Sequence, residues 1–196
     1  MTRRVVKYGQ KMGRWAPGAE GRLHTAAMEL FLEQGFAATT VPQITERAGL
    51  TTRSFFRYFA DKREILFAGE DELPGVVAHM FREADPALAP MDVVRLGCHA
   101  VLGPRLRALR PDLLARRQVM ASDDGLQERA LRKLAILHRA ATAAFRERGL
   151  DQVAADLAGR ISVGIVDSAM EQWLADDARS FETIADGMLD ALPSLL

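Results

Sequence analysis

Thr40-Val41-Pro42-Gln43-Ile44-Thr45-Glu46-Arg47-Ala48-Gly49-Leu50-Thr51-Thr52-Arg53-Ser54-Phe55-Phe56-Arg57-Tyr58-Phe59 reads as two short helices meeting at a tight corner. Thr40 and Gln43 have the spacing of a capping box, in which the threonine hydroxyl takes an orphan amide and the glutamine reaches back to the cap. Pro42 falls in the first turn, where a missing N–H costs nothing. Val41, Ile44 and Ala48 form the inner face, Gly49 breaks the helix and Leu50 plugs the corner. Thr51 or Thr52 then caps a second helix over residues 53–59, anchored inward by Phe55 and Phe59. Two helices joined in this way make a helix-turn-helix, in which one helix braces on the DNA backbone and the next enters the major groove, about 12 Å wide.

Working outward, Leu23, Ala27, Leu30 and Phe31 are spaced i, i+4, i+7, i+8 and predict a preceding helix over 19–34, ended by Gly35. Asp61-Lys62-Arg63-Glu64 reads as another capping box, opening a fourth helix that Pro74 kinks or interrupts before it resumes through Phe81. Prolines, glycines and Ser180 punctuate further helices near 91–108, 111–121, 123–148, 151–176 and 180–192, and Pro104 is placed to break the first of them early. Period-two alternation is nearly absent, so the fold class is all-α. The expected organisation is a flexible basic arm over 1–18, a helix-turn-helix domain over 19–66 and a larger helical body over 67–196.

Composition is that of an ordinary soluble globular chain, 48% hydrophobic and 27% charged over 196 residues. No run approaches the roughly 18 apolar residues of a membrane span. The basic start is not followed by an apolar stretch, which argues against a secretory signal, and the single Cys98 fits a reducing cytoplasm. The net charge of zero conceals an asymmetry: residues 1–63 hold 11 Lys and Arg against 5 Asp and Glu, a net of +6. A basic head on an acidic body suits a polyanionic partner.

The second helix of the motif carries groove chemistry on its outer side. Arg53 and Arg57 are i, i+4 and share a face, and arginine pairs bidentately with guanine. Thr52 and Ser54 add hydroxyls for bases or phosphates.

At this point the chain resembles the TetR family of transcriptional regulators. The resemblance is carried by Gly35-Phe36-Ala37-Ala38-Thr39-Thr40-Val41-Pro42-Gln43-Ile44-Thr45-Glu46-Arg47-Ala48-Gly49-Leu50-Thr51 and by Phe55-Phe56-Arg57-Tyr58-Phe59-Ala60-Asp61-Lys62-Arg63-Glu64-Ile65-Leu66, and it covers roughly residues 19–68. It implies that Thr40 touches a phosphate, that Thr52, Arg53 and Arg57 face base edges, and that Ser54, Tyr58 and Lys62 meet phosphate. The family most often has tyrosine where this chain has Phe56, which is suited instead to pack against a thymine methyl. The remainder matches only in length, helical character and charge; in the family that region is a variable ligand-binding and dimerisation domain.

For an unknown small-molecule ligand, Met120, Phe145, Met170 and Trp173 are candidate lining residues and Arg95, Cys98 and His99 candidate polar contacts, each as easily read as plain core or surface. Ala154, Ala155, Ala158, Ile161, Ser162, Ile165, Ser168 and Ala169 make a small-residue face suited to a homodimer interface. An enzyme is not expected: Cys98 and His99 are helix neighbours pointing about 100° apart, and no phosphate loop or metal-ligand spacing is present. No cofactor and no metal are implied. The reading is a dimeric, cytoplasmic regulator that binds a palindromic operator in double-stranded DNA, a repressor released by its ligand. An activator of the same fold, or a helical module that no longer binds DNA, shares these motifs.

Overall fold

A computed structural model describes residues 18–176 and 178–195, and within them the secondary structure is helical throughout, without strands. The basic arm expected at the amino terminus lies outside the described residues, which begin at Gly18.

The described residues divide into two compact units, one comprising the chain up to Glu70 together with Pro111–Gln127, the other comprising Asp71–Arg110 and residues from Glu128 onward. The first unit opens with α1 (Ala19–Gln34), whose buried Leu23, Ala26, Ala27, Leu30 and Phe31 follow the expected stripe. Gly35, at φ 86°, donates its N–H to Phe31 O and ends the helix. Next come α2 (Val41–Arg47), with both arms of the Thr40–Gln43 capping box formed, and α3 (Thr52–Tyr58), where Thr51 is the cap. Gly49 at φ 63° turns the corner between them, a left-handed conformation that glycine adopts without the Cβ penalty. Leu23, Ala27, Ile44, Phe55 and Ile65 are fully buried and form the centre of this unit.

The expected long fourth helix is two helices. α4 (Lys62–Leu66) is capped by Asp61, whose Oδ1 accepts from the N–H groups of Arg63 and Glu64. The chain passes Gly69 at φ 81° and a short 3-10 turn at Glu70–Glu72 before α5 (Leu73–Glu83) begins. Pro74 therefore starts a helix instead of kinking one, because in a first turn no carbonyl waits for its missing N–H.

The chain continues with α6 (Pro90–Gly97), a π-helical turn at Cys98–Leu102, α7 (Gly103–Met120), α8 (Asp124–Glu147), α9 (Gln152–Ala175) and α10 (Phe181–Ala191), all in the second unit except Pro111–Gln127. The sequence predicts separate helices at 91–108 and 111–121; instead α7 runs straight through Pro111. An interior proline forfeits one ladder bond, a cost of about 3 kcal/mol that packing along the helix must override. Ahead of Pro104 the helix widens to the π turn, where the Gly103 N–H reaches Cys98 O. Met120 and the rest of Pro111–Gln127 pack with the first unit, where Arg116 pairs with Glu70 and lies over the Phe67 ring. The core of the second unit includes Phe81 set edge-on to Phe145, with ring centroids 4.7 Å apart, and fully buried Val93, Cys98, Ala155, Ala169 and Phe181. Arg148 caps α5 by donating to the carbonyls of Phe81, Ala84, Asp85 and Leu88.

The small-residue face of α9 is divided by this packing. Ala155, Ala158, Ser162, Ile165 and Ala169 are buried within the subunit, while Ala154, Ile161 and Ser168 stay at or near the surface. The outward stripe is instead Val153, Leu157, Ile161, Gly164 and Ser168, with Val153 79% and Leu157 54% exposed.

Candidate DNA-binding interface

Phe55 and Phe59 fix α3 from below, with their rings 5.6 Å apart, and that anchoring presents the opposite side to solvent. Thr52, Arg53, Phe56, Arg57 and Tyr58 are all exposed there, Phe56 at 60%. The Phe56 ring stands edge-on to Phe55, with centroids 5.3 Å apart, so its projection is set by the core. Arg57 donates to the Tyr58 hydroxyl at 2.7 Å and lies 4.7 Å from its ring centroid, which braces an otherwise flexible guanidinium. Ser54 is half-buried; its amide donates to Thr51 Oγ1, and the two hydroxyls lie 3.1 Å apart. Arg53 stands one turn before Arg57, in the first turn of α3, and is exposed like it.

Thr40 is exposed at the α2 cap and its hydroxyl engages Gln43 Oε1 at 2.9 Å. Gln34, which the motif does not single out, ties this end together: its Nε2 donates to Thr39 Oγ1, to Ala38 O and to Gln43 Oε1. A polar side chain in the last turn of α1, beside a glycine stop, was the available signal. Arg47 is a basic residue of the motif that is already committed, forming a two-pronged pair with Glu33 at 2.7 and 2.8 Å. That hydrogen-bonded pairing raises the Arg47 pKa and lowers that of Glu33. Lys62, expected to meet phosphate, points its ammonium at the carbonyls of Phe36, Ala37 and Thr39.

Of the residues considered for a small molecule, Arg95, Cys98 and His99 lie within one turn and face α10. Arg95 pairs with Asp186 and Asp190, and His99 with the second oxygen of Asp186. Cys98 is fully buried; burial first, then the nearby Asp186 carboxylate, push its thiol up to about 11, which leaves it unreactive at neutral pH. Phe145 is core against Phe81, Trp173 is buried with the Arg110 guanidinium 5.4 Å from its ring centroid, and Met170 is half-buried. Met120 belongs to the first unit, where its sulfur accepts from Arg116 Nε. An open groove of about 270 Å³ lies elsewhere, between α8 and the start of α9, lined by His138, Arg139, Thr142, Ala143, Arg146, Gln152 and Asp156. No helix among the described residues is long and apolar enough to cross a membrane.

Residues 23–68, the stretch that forms α1 to α4, match the family model described as bacterial regulatory proteins, tetR family. The head is a TetR-family domain. The HTH-type transcriptional regulator TcmR of Streptomyces glaucescens is 54% identical to this TetR head over 39 residues, which are 20% of this chain and 17% of that protein. The chain thus spans about a sixth of that curated relative's length. Two solved structures extend the likeness along the chain as one of fold. FadR of Thermus thermophilus, a repressor in complex with lauroyl-CoA, is 23% identical with a TM-score of 0.57, over 89% of this chain and 93% of that one. FadR of Bacillus subtilis, in complex with stearoyl-CoA, is 20% identical with a TM-score of 0.54, over 89% of this chain and 98% of that one. What they share with this protein is the fold.

Proposed function

We propose that this protein is a dimeric transcriptional regulator whose α3 reads the major groove of a near-palindromic operator. The observation that carries the reading is the outer face of α3, where Arg53, Phe56 and Arg57 project from a helix seated on Phe55 and Phe59. Arg53 and Arg57 are the base readers, Phe56 packs on a thymine methyl, and Thr40, Thr52, Ser54 and Tyr58 serve bases or phosphates at the edges. The dimer contact is placed on the outward stripe of α9, and a two-fold-related pair of α3 helices would read half-sites about 34–36 Å apart, one DNA turn. Gly164 on α9 and Gly187 on α10 support it: a Cβ at either would meet nothing, so another helix can approach closely there.

Repression released by a small molecule is the regulatory mode we infer, supported by the repressor role and bound acyl-CoA of the Thermus protein with this fold. A ligand achieves release by binding better to the conformation whose two heads do not match the operator. Acyl-CoA thioesters are therefore the first compounds to screen. The decisive experiment is selection of bound duplexes from a random DNA pool. An enriched two-fold-related consensus is expected, and a pool that stays unenriched at low salt refutes DNA reading by this protein.

A further inference from the structure

Lys62 follows the C-cap of α3, Phe59, by three residues and is the first residue of α4. Its Nζ donates to Phe36 O at 2.7 Å, Thr39 O at 2.8 Å and Ala37 O at 3.4 Å, and sits 4.3 Å from the Phe36 ring centroid. An ammonium has three protons, and here each has a carbonyl. Those carbonyls belong to the turn that ends at Thr40, where α2 begins. One side chain thus joins the residues just before α2 to those just after α3, closing the helix-turn-helix from outside. The turn is itself held rigid: Thr39 is buried, and its hydroxyl donates to Gly35 O at 2.8 Å. Partial burial, aided by nearby Arg63 and opposed by Asp123, lowers the Lys62 pKa, in keeping with an amine held among carbonyls and a ring instead of in water.

We propose that Lys62 is a positioning residue of the DNA interface, which sets the angle of the recognition helix by capturing the 36–39 carbonyls and does not itself contact phosphate. To reach a phosphate the ammonium would have to give up these carbonyls, of which Phe36 O would keep only the Thr39 N–H at 3.3 Å. The functional half of this proposal rests on the DNA-binding reading above; the staple itself does not.

Two arms separate the possibilities, each run on the full chain with Lys62→Met and Lys62→Arg. Without DNA, amide exchange at residues 36–40 and 52–59 accelerates about tenfold in Lys62→Met, the scale of losing hydrogen bonds to a charged group. Unchanged exchange overturns the staple. With DNA, a duplex enriched by the wild type is compared with a scrambled one. A positioning role costs both variants about tenfold or more in the ratio of the two affinities and leaves the salt slope on the scrambled duplex unchanged. A phosphate contact instead leaves Lys62→Arg near wild type, lowers both affinities alike in Lys62→Met and reduces the salt slope by about 0.9, and that result overturns the proposal. Lys62→Arg keeps the charge but replaces a compact ammonium with a planar fork, so it decides the matter even where Lys62→Met fails to fold. If the wild type enriches no duplex, the DNA reading fails and the exchange arm alone judges the staple.

Discussion

Arg95 Nη1 donates to Asp186 Oδ1 at 2.8 Å, while His99 Nε2 meets the other oxygen of the same carboxylate at 2.9 Å. Asp186 therefore gathers two residues of α6 and the π turn onto α10. Side chains that are about a third exposed, 33% for Arg95 and 30% for Asp186, place this pair between a surface bridge and a buried one. Asp186→Ala should destabilise the protein by about 1–2 kcal/mol, mostly from leaving Arg95 half-buried beside a single remaining acid. Arg95→Ala combined with Asp186→Ala should cost less than the two added separately. Additive costs in urea denaturation would deny the coupling.

His24 lies half-buried in α1, and desolvation, with the Arg116 charge second, lowers its pKa from 6.5 to about 4. The folded state therefore keeps this histidine neutral at pH values where the unfolded chain protonates it. Its contribution to stability is complete above about pH 6.5 and is lost as the pH falls toward 4, by at most about 3 kcal/mol. Carboxylates titrate over part of the same window, so the measurement is the difference between wild type and His24→Gln. That difference should change with pH between 6.5 and 4; a constant difference removes His24 from the acid response.

Leu157 and Ile165 are two turns apart on α9 but face opposite environments, 54% and 8% exposed. Leu157→Glu should divide the proposed dimer and leave each subunit helical. Ile165→Glu should unfold the subunit, because it buries an unpaired charge in the core. Sedimentation and circular dichroism together check this, and a Leu157→Glu protein that sediments like the wild type would place the interface elsewhere.

Five of the eleven basic residues in 1–63 stand at positions 3, 4, 7, 11 and 14, whereas residues 18–63 hold six bases against five acids. The positive head charge is therefore mostly a property of residues 1–17. Their deletion should lower the salt dependence of DNA affinity by about 0.9 for each phosphate no longer neutralised, and leave sequence preference intact. Arg53→Ala should do the reverse, relaxing one position per half-site at a cost of about 1–3 kcal/mol with little change in slope. Matching profiles for the two variants would erase the division between charge and base reading.

The head was legible in the sequence because its signals are local. The Thr40–Gln43 box, Asp61 ahead of α4, and Gly35 and Gly49 at positive φ each meet a backbone requirement within a few residues of their own position. Periodicity likewise placed Leu23, Ile44, Phe55 and Phe59 inside, since a helix of 3.6 residues per turn leaves little choice of face. Pro74 and Pro111 show the limit of such signals. Proline costs little in a first turn and about 3 kcal/mol in an interior, and which of these a chain adopts depends on packing many residues away. Tertiary structure alone decided that Lys62 turns to carbonyls 23–26 residues earlier, that Pro111–Gln127 packs with the head, and that α9 buries Ala155 and Ile165 while showing Val153 and Leu157. Caps and turns are chosen by neighbours in the chain; the partner of a long side chain, and the outward face of an alanine-rich helix, are chosen by whatever the fold brings within a few ångströms.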